Sequence, residues 1–493
     1  MDIEASKETS ATTSRQNDES SKNDTVIDAT DVGVIAKSRT TVITTVLTSG
    51  LALFSDGYNA QIIGYMNPVF AKLYPDTFSH SIKTRFSNAF LIGEILGMLF
   101  FGYAIDKLGR RTGIIFATLF LVLGIILATA AHGKTELGMF WMIIIGRGIA
   151  GFGAGGEYPT CGTGSTEASD ETIHVRGRRG LLVATATDFS IDLGFVMAGV
   201  VALIVLAAYN QHLSDDLWRI NFGIGFILPV ALLFIRLRQF NSTQYQKHAM
   251  KKDIPYLLVI KRYWKPMVGT SLAWFFYDFV SLIKEQQTYP FGIFSSTIIG
   301  TLNPKDTLQQ NIGFSTVVNC FYLPGCIVGG LLMDRIGRRQ TMTLGFLAWT
   351  VLGFIIGGAL SPIQSVFPLF VVLYGIFNAV GEMGPGVATF LCAAESFPTP
   401  LRGHFLGFAA AVGKAGGAIG TQVFTPIQDS FSDKQKGIQA VFLIGAAFAA
   451  VGGLISWFLI PDRDKELESE DAQFRSYLEQ NGYKGSFDNA LED

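Results

Sequence analysis

The sequence predicts an all-α membrane protein of twelve transmembrane helices in two six-helix halves, with both termini in the cytoplasm. Three observations predict it. The 493-residue chain is 49% hydrophobic and only 16% charged, with mean hydropathy +0.35, where a soluble domain carries about 25% charged residues. Twelve segments approach the ~20 apolar residues that a bilayer span needs. A six-residue motif also recurs between apolar runs, as Asp106-Lys-Leu-Gly-Arg-Arg111 and Asp334-Arg-Ile-Gly-Arg-Arg339. A tight basic turn repeated at one place in two halves marks a duplicated membrane protein. Transporters are commonly built from such repeats around a central site.

The elements follow in order. Residues 1–40 are polar, lack an apolar core with a cleavage site, and read as a disordered cytoplasmic tail rather than a signal peptide. The first half, 41–236, holds spans near 42–66, 86–105, 112–132, 138–160, 180–209 and 218–236. A basic cytoplasmic linker, 237–264, carries Arg238, Lys247, Lys251, Lys252, Lys261 and Arg262. The second half, 265–460, holds spans near 265–300, 311–333, 341–360, 366–392, 404–428 and 437–460. From Pro461 to Asp493 the chain is an acidic cytoplasmic tail. Even-numbered junctions carry Lys107, Arg110, Arg111, Arg176, Arg178, Arg179, Arg335, Arg338, Arg339 and Arg402, and odd-numbered ones far less, which sets the orientation. The four cysteines fall in apolar segments and read as reduced thiols.

Charge inside a membrane is costly and points to a cavity with a task. Seven acids fall within the spans, Asp56, Glu94, Glu157, Asp188, Asp192, Asp278 and Glu382, against Arg147 and Lys414. Such an excess of acid exceeds what ion pairing needs, and protonatable acids suit a proton-coupled carrier. The fourth span is the densest, Gly146-Arg-Gly-Ile-Ala-Gly-Phe-Gly-Ala-Gly-Gly-Glu157-Tyr158-Pro159. Its glycines admit a neighbouring helix closely. Arg147 and Glu157 stand ten residues apart, about 15 Å along the helix, so they do not pair within it.

The two halves, the basic middle loop and the Asp-x-x-Gly-Arg-Arg turns resemble the major facilitator superfamily over about residues 40–460. Gly155-Gly-Glu-Tyr-Pro159 is similar to a signature of its phosphate:proton symporter branch. Ser55-Asp56-Gly-Tyr58, Ile254-Pro-Tyr256, Trp274-Phe-Phe-Tyr-Asp278, Gly413-Lys414 and Phe474-Arg-Ser-Tyr477 look like fungal glycerophosphodiester permeases. The resemblance implies the major facilitator fold, a plasma-membrane location, a monomer, no cofactor beyond the coupling proton, and a small glycerophosphodiester as the partner. It implies that Asp56, Arg147 and Glu157 belong to the proton pathway. Tyr158, Trp274, Asp278 and Lys414, with Tyr277 beside them, would line the substrate site. Asp106, Arg110, Arg111, Asp334, Arg338 and Arg339 would form the gate.

Two departures sharpen the substrate. Phosphate symporters usually have Asp where Asn59 stands and Gly-Pro-Asn where this chain has Gly384-Pro385-Gly386. The glycine removes a donor and leaves room, which favours a larger phosphodiester over inorganic phosphate. Asp188 and Asp192 share one helical face, so at least one is neutral unless a cation lies between them. Aromatic rings beside carboxylates recognise quaternary ammonium, so glycerophosphocholine is favoured over glycerophosphoinositol, with both Asp188 and Asp192 in the site.

The segment Leu282-Ile-Lys-Glu-Gln-Gln-Thr-Tyr289 is polar where the resembling permeases run on directly. It is either a broken stretch lining water or an unspliced insertion, and both readings stay open. The alternatives to a diester importer are an inorganic phosphate symporter and a nutrient sensor with little transport. No nucleophile elbow, phosphate loop or metal-ligand spacing is legible, so no enzyme, metal or nucleic-acid partner is expected.

Overall fold

A computed structural model of the chain describes residues 39–170, 177–237, 250, 254–281, 307–462 and 467–483. Among the described residues every regular element is helical. We label them α1 (Arg39–Leu73), α2 (His80–Leu108), α3 (Arg110–Thr129), α4 (Glu136–Asp170), α5 (Arg179–Ala186, then Asp188–Ala208) and α6 (Asp215–Arg236). The second half repeats the pattern with α7 (Tyr256–Ser281), α8 (Leu308–Cys320, then Tyr322–Ile336) and α9 (Arg338–Gly358). It continues through α10 (Phe367–Gly381, a π turn Glu382–Gly386, then Val387–Glu395), α11 (Arg402–Asp429) and α12 (Lys434–Leu459). All twelve expected spans therefore fall on helices. Residues 282–300 of the seventh, including Leu282 to Tyr289, lie outside the described residues, as do the first tail and most of the linker.

Among the described residues nine helices are long and apolar enough to cross a membrane. The three below that mark, α1, α7 and α11, carry Asp56, Asp278 and Lys414, all directed inward. Large apolar side chains such as Phe100, Ile227, Phe234, Leu347, Leu454 and Phe458 are exposed instead, which suits hydrocarbon as the solvent.

Close backbone approach builds the bundle. In α4, a Cβ on Gly151 would lie 2.0 Å from the Phe90 carbonyl oxygen of α2, and one on Gly155 would lie 2.2 Å from that of Glu94. On its other face, a Cβ on Gly153 would meet the Leu121 nitrogen of α3 at 2.2 Å. The expected glycine packing of the fourth span is thus two-sided, against α2 and α3 together. The halves meet along α2 with α11 and along α5 with α8, where Gly102 abuts Gly403 and Gly407, and Gly180 abuts Gly330.

The motif glycines have a separate cause. Gly109 has φ 101° and Gly337 φ 91°, with ψ of 152° and 163°. That region is essentially closed to residues with a Cβ, so the glycine recurs because each turn between helices needs it.

The acidic stretch after Pro461 is not a simple tail. It holds α13 (Leu467–Gln480), whose Phe474 and Leu478 pack with Val259, Tyr263, Phe397 and Leu401. Burial pushes the Tyr263 hydroxyl up from its ordinary value. Its proton is donated to Glu470.

Candidate functional site

At the end of the bundle bearing the two motifs, each half grips the other. Asp106 pairs with Arg110. It also accepts hydrogen bonds across the seam from the amides of Gly403 (3.3 Å) and His404 (2.8 Å) and contacts His404 Nδ1 at 2.6 Å. Asp334 accepts from the amides of Gly180 (2.6 Å) and Leu181 (3.0 Å). Each motif acid therefore sits at the N-terminal turn of a helix in the opposite half, where orphan amides and the helix dipole favour a carboxylate.

Two buried glutamates complete the arrangement. Glu167 receives Arg110 and Arg402, each at 3.0 Å. Glu395 receives Arg179 at 2.8 Å and Arg338 at 3.0 Å, and Arg179 also holds Asp170. Of the residues expected in a gate, Asp106 and Arg110 thus join one cluster across the halves, and Arg338 joins a second near Asp334. Arg111 and Arg339 join neither: Arg111 binds the Leu237 carbonyl (2.6 Å), and Arg339 binds Asp462 (3.1 Å). The sequence reading did not name Glu167 and Glu395, and it read Arg179 and Arg402 only as junction charges that set orientation, although Arg179-Gly180 and Arg402-Gly403 are themselves a repeated pair. The tail helix joins in, since Asp471 accepts from the Thr399 amide (2.6 Å) and hydroxyl (2.7 Å) while Arg110 binds the Thr399 carbonyl (3.2 Å).

Deeper in the first half lie Asp56, Arg147 and Glu157, the residues expected to serve a proton pathway. Glu157 is buried and ion-paired with Arg236, the last residue of α6. Thr118 donates to Glu157 at 2.9 Å, and the Cys161 thiol approaches it at 3.5 Å. Asp56, 2% exposed, has no hydrogen-bond partner on either oxygen among the described residues, and Glu157 and Glu94 lie within electrostatic range of it. Arg147 donates to the Asn59 carbonyl (3.3 Å) and lies over the Phe90 ring (5.1 Å). Asn59 uses its amide to bridge Ser55 (2.9 Å) and Gly225 of α6 (3.2 Å), a donor's task that aspartate could not perform.

Between the halves, the expected substrate residues converge. Lys414 Nζ lies 3.9 Å from Asp278 Oδ2 and 5.3 Å above the Tyr158 ring. Neither Asp278 oxygen accepts a hydrogen bond from the described residues. Phe390, not singled out from sequence, stacks on Tyr158 at 5.4 Å and contacts Trp274 at 4.8 Å, making a continuous aromatic wall. Gly413 lets the indole lie flat, because a Cβ there would meet Trp274 Cδ1 at 2.4 Å.

The Asp188/Asp192 pair lies beside the second half. Asp188 opens the second piece of α5 and accepts from the Thr187 hydroxyl at 3.1 Å. Asp192 accepts from the Cys326 thiol at 3.1 Å, and the Tyr277 hydroxyl donates to Glu382. Ligand atoms of Asp192, Cys326 and Glu382 lie within 4.8 Å of one another. That grouping spans three helices and has no sequence spacing to betray it. Where a phosphate site would carry asparagine, a Cβ on Gly386 would lie 2.2 Å from Glu382 Oε2. The space left by the glycine is therefore taken by a carboxylate.

A family model described as sugar (and other) transporter matches residues 43–254 and 239–469. The chain is 40% identical over 446 residues to glycerophosphoinositol permease 1 of Candida albicans, covering 90% of this chain and 83% of that one. It is 36% identical to glycerophosphoinositol transporter 1 of Saccharomyces cerevisiae, covering 90% and 84%. It is 34% identical to glycerophosphocholine permease GIT4 of Candida albicans, covering 88% and 81%. Among solved structures, the proton:xylose symporter XylE superposes with a TM-score of 0.71 at 18% identity, covering 88% of this chain and 98% of that one.

Proposed function

The chain belongs to the sugar (and other) transporter family of the major facilitator superfamily, among the fungal glycerophosphodiester permeases, and on that premise we propose that it imports glycerophosphodiesters with protons. It is a multi-pass membrane transporter and not an enzyme. The observation that carries the substrate class is Lys414, a cation largely withdrawn from solvent beside an aromatic wall and within electrostatic range of Asp278, Glu94, Asp188 and Glu382. A compact ammonium meets the phosphodiester anion, and the acids around it suit a substrate that also carries positive charge. The transporter works as a monomer in the plasma membrane, with the motif end facing the cytoplasm. Contacts between the halves at the motif end would have to part for substrate to leave on that side. Competition separates this reading from an inorganic phosphate symporter: excess phosphate leaves labelled glycerophosphocholine uptake intact in the first case and blocks it in the second. A sensor would take up neither.

The proton site is Asp56. Arg236 already compensates the charge of Glu157, whereas Asp56 has no donor among the described residues, and taking a proton removes the cost of its buried charge. Glu157 and Arg147 serve the same pathway by setting the local field. Uptake by the native protein falls as external pH rises, because the loaded state then loses its proton. Asp56→Asn, permanently neutral, flattens that dependence. A variant that keeps the native pH slope would remove Asp56 from the role.

Glycerophosphocholine is the favoured cargo over glycerophosphoinositol, on the strength of the acids at Asp188 and Asp192. Converting both to asparagine lowers choline-diester uptake at least about tenfold, the scale of a desolvated cation–carboxylate contact, and spares the inositol diester. Equal losses for the two substrates would end the choline reading.

A further inference from the structure

Glu94 is a buried acid of α2, 3% exposed, on the helix that meets α11 where the two halves join. We propose that Glu94 is a positioning residue that couples proton to cargo: ionised, it competes with the phosphodiester for the ammonium of Lys414, and protonated, it releases that ammonium to the diester. The inference rests on the reading that the chain imports glycerophosphodiesters with protons. It deepens that reading by naming the group through which the proton and the anion affect one another.

The backbone sets the two charges opposite each other. α2 ends at the motif and α11 begins there, so the two helices run in opposite directions. Their contact is close at Gly407, where a Cβ would stand 2.4 Å from the Met98 carbonyl oxygen. Glu94 lies one turn from Met98, about 6 Å further from the motif end. Lys414 lies two turns from Gly407 in the same direction, about 10 Å. Side chains lean toward the N-terminus of their own helix. Glu94 therefore leans away from the motif end and Lys414 leans back toward it, and the two converge within electrostatic range.

The other charged and titratable neighbours divide between the halves. Asp278 of α7 and Arg147 of α4 are in range of Glu94, and Glu94 is in range of Asp56 of α1 and Tyr158 of α4. Arg147 lies over the ring of Phe90, one turn along α2, at 5.1 Å, and belongs with Glu94 to the first half. Lys414 and Asp278, 3.9 Å apart, belong to the second. The attraction between Glu94 and Lys414 thus crosses the seam. Glu94 is also common to the surroundings of Asp56 and of Lys414.

Counting charge gives the coupling its sign. Lys414 and Asp278 cancel, so an ionised Glu94 leaves their group negative. A diester phosphate then meets repulsion and a rival for the ammonium. A proton on Glu94 removes both. Arg147 offsets part of the negative charge in either state, so what changes between states is the proton. Conversely, an anion beside a carboxylate favours its neutral form, so bound diester retains the proton. Asp56 takes that proton from outside, and Glu94 holds it while the diester is bound. When the diester leaves inside, Lys414 again favours the carboxylate, and the proton passes to cytoplasmic water. Only O–H bonds form and break.

The test uses the full chain in transporter-null cells, with surface abundance measured alongside. Initial uptake of labelled glycerophosphocholine and glycerophosphoinositol is titrated at one acidic and one neutral external pH. The native KM is expected to rise with pH. Glu94→Gln keeps the shape and fixes the neutral state, so its KM at neutral pH falls at least about fivefold, the scale of one partly screened charge contact. Its KM then matches at the two pH values, and diester no longer accumulates above the outside concentration. Glu94→Asp keeps an ionisable group and restores the pH dependence of KM, which a packing role would not do. A native pH dependence of KM in Glu94→Gln would overturn the proposal. So would an equal rise of KM at both pH values, which would make Glu94 a direct contact of the diester. Diester binding to the purified native protein in detergent is also expected to take up a proton, and its absence would overturn the proposal whatever the variants do. Either result leaves the permease reading intact. Native uptake of neither diester would overturn the permease reading itself.

Discussion

Lys414→Met is expected to reduce uptake at least about a hundredfold at unchanged surface abundance. The native ammonium lies 3.9 Å from Asp278 and 5.3 Å over the Tyr158 ring, with Glu94, Asp188 and Glu382 also in range. Methionine fills the stem volume but leaves these acids without their cation. Removing one partner of a buried charge pair costs about 3–5 kcal/mol, and a hundredfold loss needs only about 2.7 kcal/mol. The substrate loses its phosphodiester contact in the same change. Lys414→Arg keeps the charge but presents a planar fork in a slot shaped against an aromatic face, so partial uptake is expected. The measurement is the initial rate per transporter at the surface. Near-native uptake by Lys414→Met would mean that Lys414 serves only to pack.

The second large effect concerns the fold. Arg236→Met is expected to destabilise the protein by about 3–5 kcal/mol, because it strands a buried Glu157. A loss of that size is a substantial part of a typical stability of about 5–15 kcal/mol. The double change Arg236→Met with Glu157→Gln removes both charges, and most of the stability returns. Thermal unfolding of the purified protein in detergent reads this directly. Transport need not return with it, since the field at Asp56 has also changed. If the double variant unfolds more readily than Arg236→Met alone, the pair is not the unit described here.

The repeat, the twelve spans and the acids were legible in the sequence because membrane solvation makes them conspicuous. A charge in an apolar run and a glycine ladder are local signals. The partner of Glu157 was not legible. Arg236 ends an apolar run just before a basic linker and looks like a positive-inside anchor, yet its side chain turns inward to a helix 79 residues back. Pairings between helices leave no spacing rule. The gate glutamates were visible only in retrospect, since Glu167 and Glu395 lie at equivalent helix ends but in unlike surroundings. The motif was over-read in one respect: only the first arginine of each Arg-Arg pair, Arg110 or Arg338, enters the network, because the next residue lies about 100° around the helix. Glu382 was seen as an intramembrane acid, but a π turn shifts a side chain's direction in a way that helical periodicity does not anticipate. The tail helix α13 escaped notice because Phe474 and Leu478 are sparse among acids, and its apolar face is completed by α7 and the α10–α11 junction.

The reciprocal capping at the gate has a meaning beyond gating. Asp106 of the first half binds the start of α11, and Asp334 of the second half binds the start of α5. Glu167 and Glu395 repeat the exchange. When patch i meets patch j and patch j meets patch i, the interface is isologous, the kind formed by a two-fold homodimer. A six-helix chain with one Asp-x-x-Gly-Arg-Arg turn could close on its own duplicate through these same contacts. The linker then adds no contact of its own; it only makes the encounter intramolecular. Opening the gate is, in these terms, the partial dissociation of a dimer whose two subunits share one chain.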